Sequence, residues 1–283
     1  MYSLLKKIKN KLKYFQSKIK NTIISFWNSH KNTILYSYSS VLVKISGKER
    51  SSRQILLSLK DKYKGKRCFI LGNGPSLTKE DVNKLKNEIT FASNRIYKMF
   101  EYTDWRPTFY AMIDEGVGQD EGVIENASKI SATKFFRMEG WYVYHKIKGD
   151  SCFIHSWHSR KYLDNPNFSF DLTKGAYTIA TVTFFIIQIA VWMGFSEIYL
   201  LGCDNSYRIE RNKDGQIVTD SSKKSYFGNQ ERESVRSVGS PWECNIAFEC
   251  AEKFSKTHDF KIYNATRGGM LEVFERKNLD EIL

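Results

Sequence analysis

The stretch CFILGNGPSLTKED, residues 68–81, decides how the chain is read. An apolar run with strand character meets Gly72-Asn73-Gly74-Pro75-Ser76, and Ser76 or Thr78 then stands where a helix start is expected. Strand, glycine turn and helix in that order open a doubly wound α/β sheet. Such a turn offers backbone N–H groups, and the helix end behind it adds a favourable field for phosphate. It is neither a Walker sequence, with its GKS or GKT, nor GxGxxG. Gly72 and Gly74 allow close backbone approach, Pro75 stiffens the turn, and the Asn73 amide suits a phosphate or a ribose hydroxyl. The alternative is a turn with a structural role alone.

The downstream pattern repeats this alternation. EITFASNRI reads as a second strand ending at Ser93-Asn94, and RPTFYAMIDEG as a third ending at Asp114. TKFFRMEG and SCFIHSW are shorter strand candidates. Residues 178–195, TIATVTFFIIQIAVWMGF, are apolar enough to resemble a membrane span, but the run is short, holds Gln188 and leads at once into the strand SEIYLLGCDNSY. A buried helix beneath a parallel sheet is expected instead. Gly202 and Asp204 then close their strand on the rim that carries Gly74, Asn94 and Asp114. Residues 205–243 are polar and glycine-dotted and read as a long loop or lid, followed by an amphipathic helix and a strand–loop–strand tail. The expectation is a Rossmann-like, mostly parallel sheet with helices on both faces over residues 65–283.

Charge divides the chain differently. The formal charge is +13, and residues 1–64 hold fifteen Lys or Arg against two acidic residues. The rest is balanced, so the whole excess sits in an N-terminal appendage. Leu4, Ile8, Leu12, Phe15 and Ile19 share one helical face, with lysines around the remainder. This reads as a helix lying on an anionic membrane surface, with docking to its own domain or to another subunit of a homo-oligomer as the alternative. Nucleic acid is not expected as a partner, since no zinc module or base-reading motif accompanies the basic stretch. No secretory leader is recognised, and the five scattered cysteines form no CxxC pair. A cytoplasmic protein, peripheral on the inner face of the membrane, is the expected setting.

GNGPSL, SNR, LTKGAYT, MGFSEIYLLGCDNSY and KIYNATRGGMLEVF together resemble bacterial sialyltransferase-like enzymes of surface-glycan synthesis. They also resemble the wider group with a domain related to the archaeal pterin pyrophosphokinase MptE, to which the tail is the closer match. The resemblance implies an inverting glycosyltransferase that moves an acidic sugar from a CMP-sugar to a glycan hydroxyl, with no metal or other cofactor required. It places Gly72, Asn73, Gly74, Pro75 and Ser76 around the nucleotide phosphate and ribose, with Asn94 and Asp114 on the nucleotide side. Thr173, Lys174 and Gly175 would reach the donor, and Gly202 and Asp204 the cytidine ribose. Lys174 replaces a serine of the family pattern and suits a phosphate or a donor carboxylate.

The general base is the main departure. The enzymes resembled use a histidine in the loop before the late helix, and residues 207–243 contain none. His155 and His158 are the candidates, followed by Asp114, Glu231 and Glu243. The i,i+3 spacing of the two histidines, without a carboxylate cluster, does not suit a metal. Three rival readings remain: another nucleotide-sugar or nucleotide-activated polyol phosphate as donor, a glycan-assembly scaffold without catalysis, and a pyrophosphokinase with magnesium on Asp114 and Asp204.

Overall fold

In the computed structural model, residues 33–158, 161–228 and 238–283 are described. The amphipathic helix expected over residues 1–27 lies outside them, as does Glu231.

The sheet forms because each apolar run alternates between two buried faces. In β1 (Arg67–Leu71), Cys68 and Ile70 enter one core, while Phe69 and Leu71 enter the other. The same holds for β2 (Thr90–Ser93), β3 (Phe109–Met112), β4 (Thr133–Arg137) and β5 (Ser151–Ile154). Short β6 (Ser156–Trp157) and β7 (Ala176–Tyr177) pair with each other. Then come β8 (Glu197–Leu201), the hairpin β9 (Ile209–Arg211) and β10 (Ile217–Thr219), and finally β11 (Lys261–Asn264) and β12 (Glu275–Arg276). Eight strands form one sheet in the order β12-β11-β8-β1-β2-β3-β4-β5, and every pairing is parallel. This is the expected α/β fold.

The apolar run at 178–195 is the buried helix Val182–Trp192. At 11 residues it is about 16 Å long, roughly half a bilayer's hydrocarbon thickness. Gln188 is fully buried in it and fully paired: its Oε1 accepts from Ser169 and Tyr177 backbone N–H, and its Nε2 donates to the Tyr177 and Phe184 carbonyls. The glutamine fastens the loop before β7 to the core. Among the described residues no helix is long and apolar enough to cross a membrane.

The boundary expected at residue 64/65 falls inside the packed domain. Helix Lys48–Leu59 lies against edge strand β5, burying Ser52, Leu56 and Leu59. Ser52 Oγ accepts the Phe153 N–H at 2.8 Å, which satisfies a backbone donor of that edge. The Trp192 indole donates to the Leu56 carbonyl, and Asp61, Tyr63 and Gly65 donate backbone N–H to Trp192, Met193 and Gly194. A chain starting at residue 65 is therefore expected to lose cooperative thermal unfolding, followed by circular dichroism. Each large apolar side chain removed from the core takes about 1.5–3 kcal/mol from a total stability of about 5–15 kcal/mol.

Candidate active site

β1 has β2 on one side and β8 on the other, so the loops leaving β1 and β8 diverge at their C-terminal ends. Open α/β sheets bind ligands at such a switch point. A cavity of about 360 Å³ lies there. Its walls are the glycine turn, the ends of β2 and β3, residues 178–183 at the start of the buried helix, and residues 202–207. The segment returning from the β9–β10 hairpin adds Ser225, Tyr226 and, further on, Gly239 and Ser240. Phe227 is buried and donates its N–H to the Asn73 carbonyl at 3.0 Å, pinning that segment over the turn. The region expected as a loop or lid thus contains a hairpin and a fixed return.

The glycine turn is shaped by the loop after β8. Gly72 N–H donates to the Leu201 carbonyl at 2.8 Å and Gly74 N–H to the Gly202 carbonyl at 2.9 Å. Ser76 donates both its N–H and its hydroxyl to the Asp204 carboxylate, at 3.3 and 2.7 Å. The Gly72, Gly74 and Ser76 donors are committed within the protein, which corrects the expectation that these two glycine N–H groups and Ser76 hold a phosphate. The glycines are required by loop-to-loop contact: a Cβ on Gly72 would lie 2.3 Å from the Gly202 carbonyl oxygen, and one on Gly74 1.9 Å from Asp204 Oδ2. Gly72→Ala is expected to cost at least about 1–3 kcal/mol, measured by urea denaturation, because both colliding groups are backbone. Burial pushes the Asp204 carboxyl above the ordinary aspartate range, against the lowering effect of the Ser76 bonds.

Three asparagines face this cavity. Asn73 Nδ2 donates to the Ser93 carbonyl at 3.0 Å, and Asn205 Nδ2 to Asn245 Oδ1 at 2.8 Å. Those bonds fix both amides, and the Oδ1 atoms of Asn73, Asn94 and Asn205 are buried without a partner, as is the Ser240 hydroxyl. Buried acceptors are rarely left unpaired, and these three belong to residues that line one cavity. Backbone strain gathers here too. Asn94, Ala180 and Asn205 take left-handed φ values of 50°, 53° and 51°, and all three line the cavity.

The two candidate histidines separate. His158 lines the cavity, with Nδ1 2.8 Å from the Thr178 carbonyl. Since a carbonyl only accepts, Nδ1 carries the proton and Nε2 of the neutral ring is the accepting nitrogen. His155 is outside the lining. Its Nδ1 meets Glu139 Oε1 at 2.7 Å, and that hydrogen bond raises its pKa. The Glu139 carboxylate also accepts from Ser156 N–H and hydroxyl, which makes this pair a fastener for β6.

Asp114 lines the cavity, and its Oδ1 accepts from Gly116 and Val117 N–H, capping the turn Glu115–Gly118. Gly202 and Asp204 line it as well. Pro75, Ser76, Thr173, Lys174, Gly175 and Glu243 do not. Lys174 is exposed and pairs with Asp171, whose Oδ1 also accepts from Thr173. A Cβ on Gly175 would meet the His155 carbonyl at 2.8 Å, so this glycine serves packing. Residues 173–175 do not line the cavity, whereas Thr178 and residues 180–183 do, and Thr181 caps the buried helix by accepting the Thr183 N–H. The sequence reading also missed Arg137, the one arginine or lysine among the described lining residues. Its guanidinium forks onto the Glu115 carboxylate and donates to the Tyr36 hydroxyl at 2.9 Å. Its signal was a basic residue closing the apolar strand TKFFR on the rim.

All five cysteines are buried and free. Burial pushes Cys203 and Cys244, both at the cavity wall, up to about 12, so they remain thiols. Among the described residues no group of three or more His, Cys, Asp or Glu is placed to hold a metal ion.

No curated protein matches the chain. Among solved structures it is similar to the MAf glycosyltransferase from Magnetospirillum magneticum AMB-1, with 14% identity and a TM-score of 0.47, over 82% of this chain. It spans 38% of that protein's length. Residues 48–210 match the family described as 6-hydroxymethylpterin diphosphokinase MptE-like. That match takes in more than half of the chain, and the protein belongs to the MptE-like family.

Proposed function

We propose that the protein is a transferase that moves a sugar from a nucleotide-activated donor to a hydroxyl of a surface-glycan acceptor, with inversion at the anomeric carbon. The observation that carries this is the cluster of unpartnered acceptors, Asn73, Asn94 and Asn205 Oδ1, around a switch-point cavity. Acceptors call for O–H and N–H donors, which ribose, a base amino group and sugar hydroxyls supply. We assign the phosphate to the wall formed by Thr181, Val182 and Thr183. The buried helix Val182–Trp192 begins there, and its positive end favours an anion beside Thr181 and Thr183. His158 supports the chemistry. Its Nε2 takes the proton of the acceptor hydroxyl as that oxygen bonds to the anomeric carbon, and the bond to the donor phosphate breaks with its electron pair. The Thr178 carbonyl, holding Nδ1–H, then stabilises the imidazolium.

The test is nucleotide release from a panel of CMP-, UDP- and GDP-sugars, with CMP-activated acidic sugars first because the sequence resemblance points to them. Release from one nucleotide class supports the reading, and inertness of the whole panel with a glycan acceptor present counts against it.

Family membership favours a second reading, a pyrophosphokinase. Its magnesium would fall to Asp114 and Asp204, which no third such ligand joins among the described residues. Both Asp204 oxygens already accept from Ser76, and Asp114 Oδ1 caps two N–H groups.

A further inference from the structure

Residues 33–45 form a helix whose inner face is fastened to the domain. Val43 is fully buried, the Tyr36 hydroxyl meets Arg137, and the Ser39 hydroxyl accepts the Tyr142 N–H at 3.4 Å. The outer face is apolar. Ile34, Tyr38, Val41 and Ile45 are 43, 56, 52 and 77% exposed, and their spacings of four, three and four place them on one stripe. Four large apolar side chains aligned in water on one helix call for a covering partner.

Charge selects the partner. Within residues 33–64 there are seven Lys or Arg against Glu49 and Asp61, while the chain beyond is balanced. Lys44 lies beside the stripe and is exposed; Arg50 and Arg53 are exposed on the next helix, on the face that also exposes Leu57 at 47%. A second copy brought onto this stripe would set these like charges against their equivalents. An anionic lipid surface is complementary to both features, accepting the apolar stripe at the headgroup boundary and attracting the lysines and arginines.

We propose that helix 33–45 is an interfacial helix that lays Ile34, Tyr38, Val41 and Ile45 on an anionic membrane. The proposal is independent of the reaction at the cavity. Because the helix is bound to Arg137 on its other side, it holds the α/β domain at the lipid surface without a flexible tether.

The test is co-flotation of the full chain with phosphatidylcholine vesicles and with vesicles containing phosphatidylglycerol, for the wild type and for Val41→Asp/Ile45→Asp. Both side chains are exposed, so the variant is expected to keep the wild-type melting profile. The expected result is binding to the anionic vesicles and at least a tenfold loss of it in the variant, with neither protein floating on phosphatidylcholine alone. Equal binding by the two proteins would overturn the proposal by assigning attachment to residues 1–32. Absence of wild-type binding, or a variant whose only change is a dimer becoming a monomer in sedimentation, would overturn it as well.

Discussion

Replacing His158 with alanine is expected to slow transfer by about 10²–10⁴-fold, the usual contribution of a positioned base. Donor affinity should be unchanged. The effect follows from the tautomer of His158 and its place at the cavity. The Thr178 carbonyl fixes the proton on Nδ1, so the cavity-lining ring has its basic nitrogen, Nε2, in acceptor form before the acceptor arrives. His155 is the internal control. It lies three residues away, but it is bound to Glu139 outside the cavity, and His155→Ala should leave turnover intact while loosening β6. Turnover and donor affinity measured for both variants check this. Equal losses in the two, or a His158 variant that turns over like wild type, would move the base elsewhere.

Arg137→Met is expected to destabilise the fold by about 3–5 kcal/mol, read by urea denaturation. Arg137 and Glu115 are 4% and 8% exposed and form a two-point ion pair at the end of β4. Removing the guanidinium leaves the Glu115 carboxylate buried without its cation, and the Tyr36 hydroxyl loses its donor. Much of the cost is that stranded charge. The double variant Arg137→Met/Glu115→Leu should therefore recover most of the loss. Failure to recover would show that Arg137 stabilises through packing and Tyr36 instead.

The main strands of the sheet were legible because each is an apolar run whose period-two alternation feeds two cores, punctuated by Gly72, Asn94, Asp114 and Gly202. The buried helix was legible from its length and Gln188. The domain boundary was not. Helix Lys48–Leu59 buries Ser52, Leu56 and Leu59, but it lies in the segment that carries the chain's whole charge excess and exposes Arg50, Arg53 and Leu57, so it reads as appendage. The role of the glycine turn was hidden for a different reason. What sits against it is Gly202 to Asp204, and Ser76 meets Asp204 across 128 residues of sequence. A local reading finds glycines and infers space for a ligand, whereas the space is filled by the other loop. The same limit applies to residues 173–175, held by Asp171 and by Ser169, whose hydroxyl donates to the Gly175 carbonyl, while their neighbours at 178–183 reach the cavity.

Calorimetric titration of the full chain with CMP, CDP, UMP, UDP, GDP and ATP, with and without magnesium, bears most directly on the cavity as a nucleotide site. It should be run beside an Asn73→Ala variant whose melting profile is retained. One nucleotide is expected to bind at one site per chain without magnesium, CMP being the first candidate, and the binding should be lost in Asn73→Ala. Binding that survives the substitution, binding that requires magnesium, or no binding of any nucleotide by the wild type would contradict the assignment.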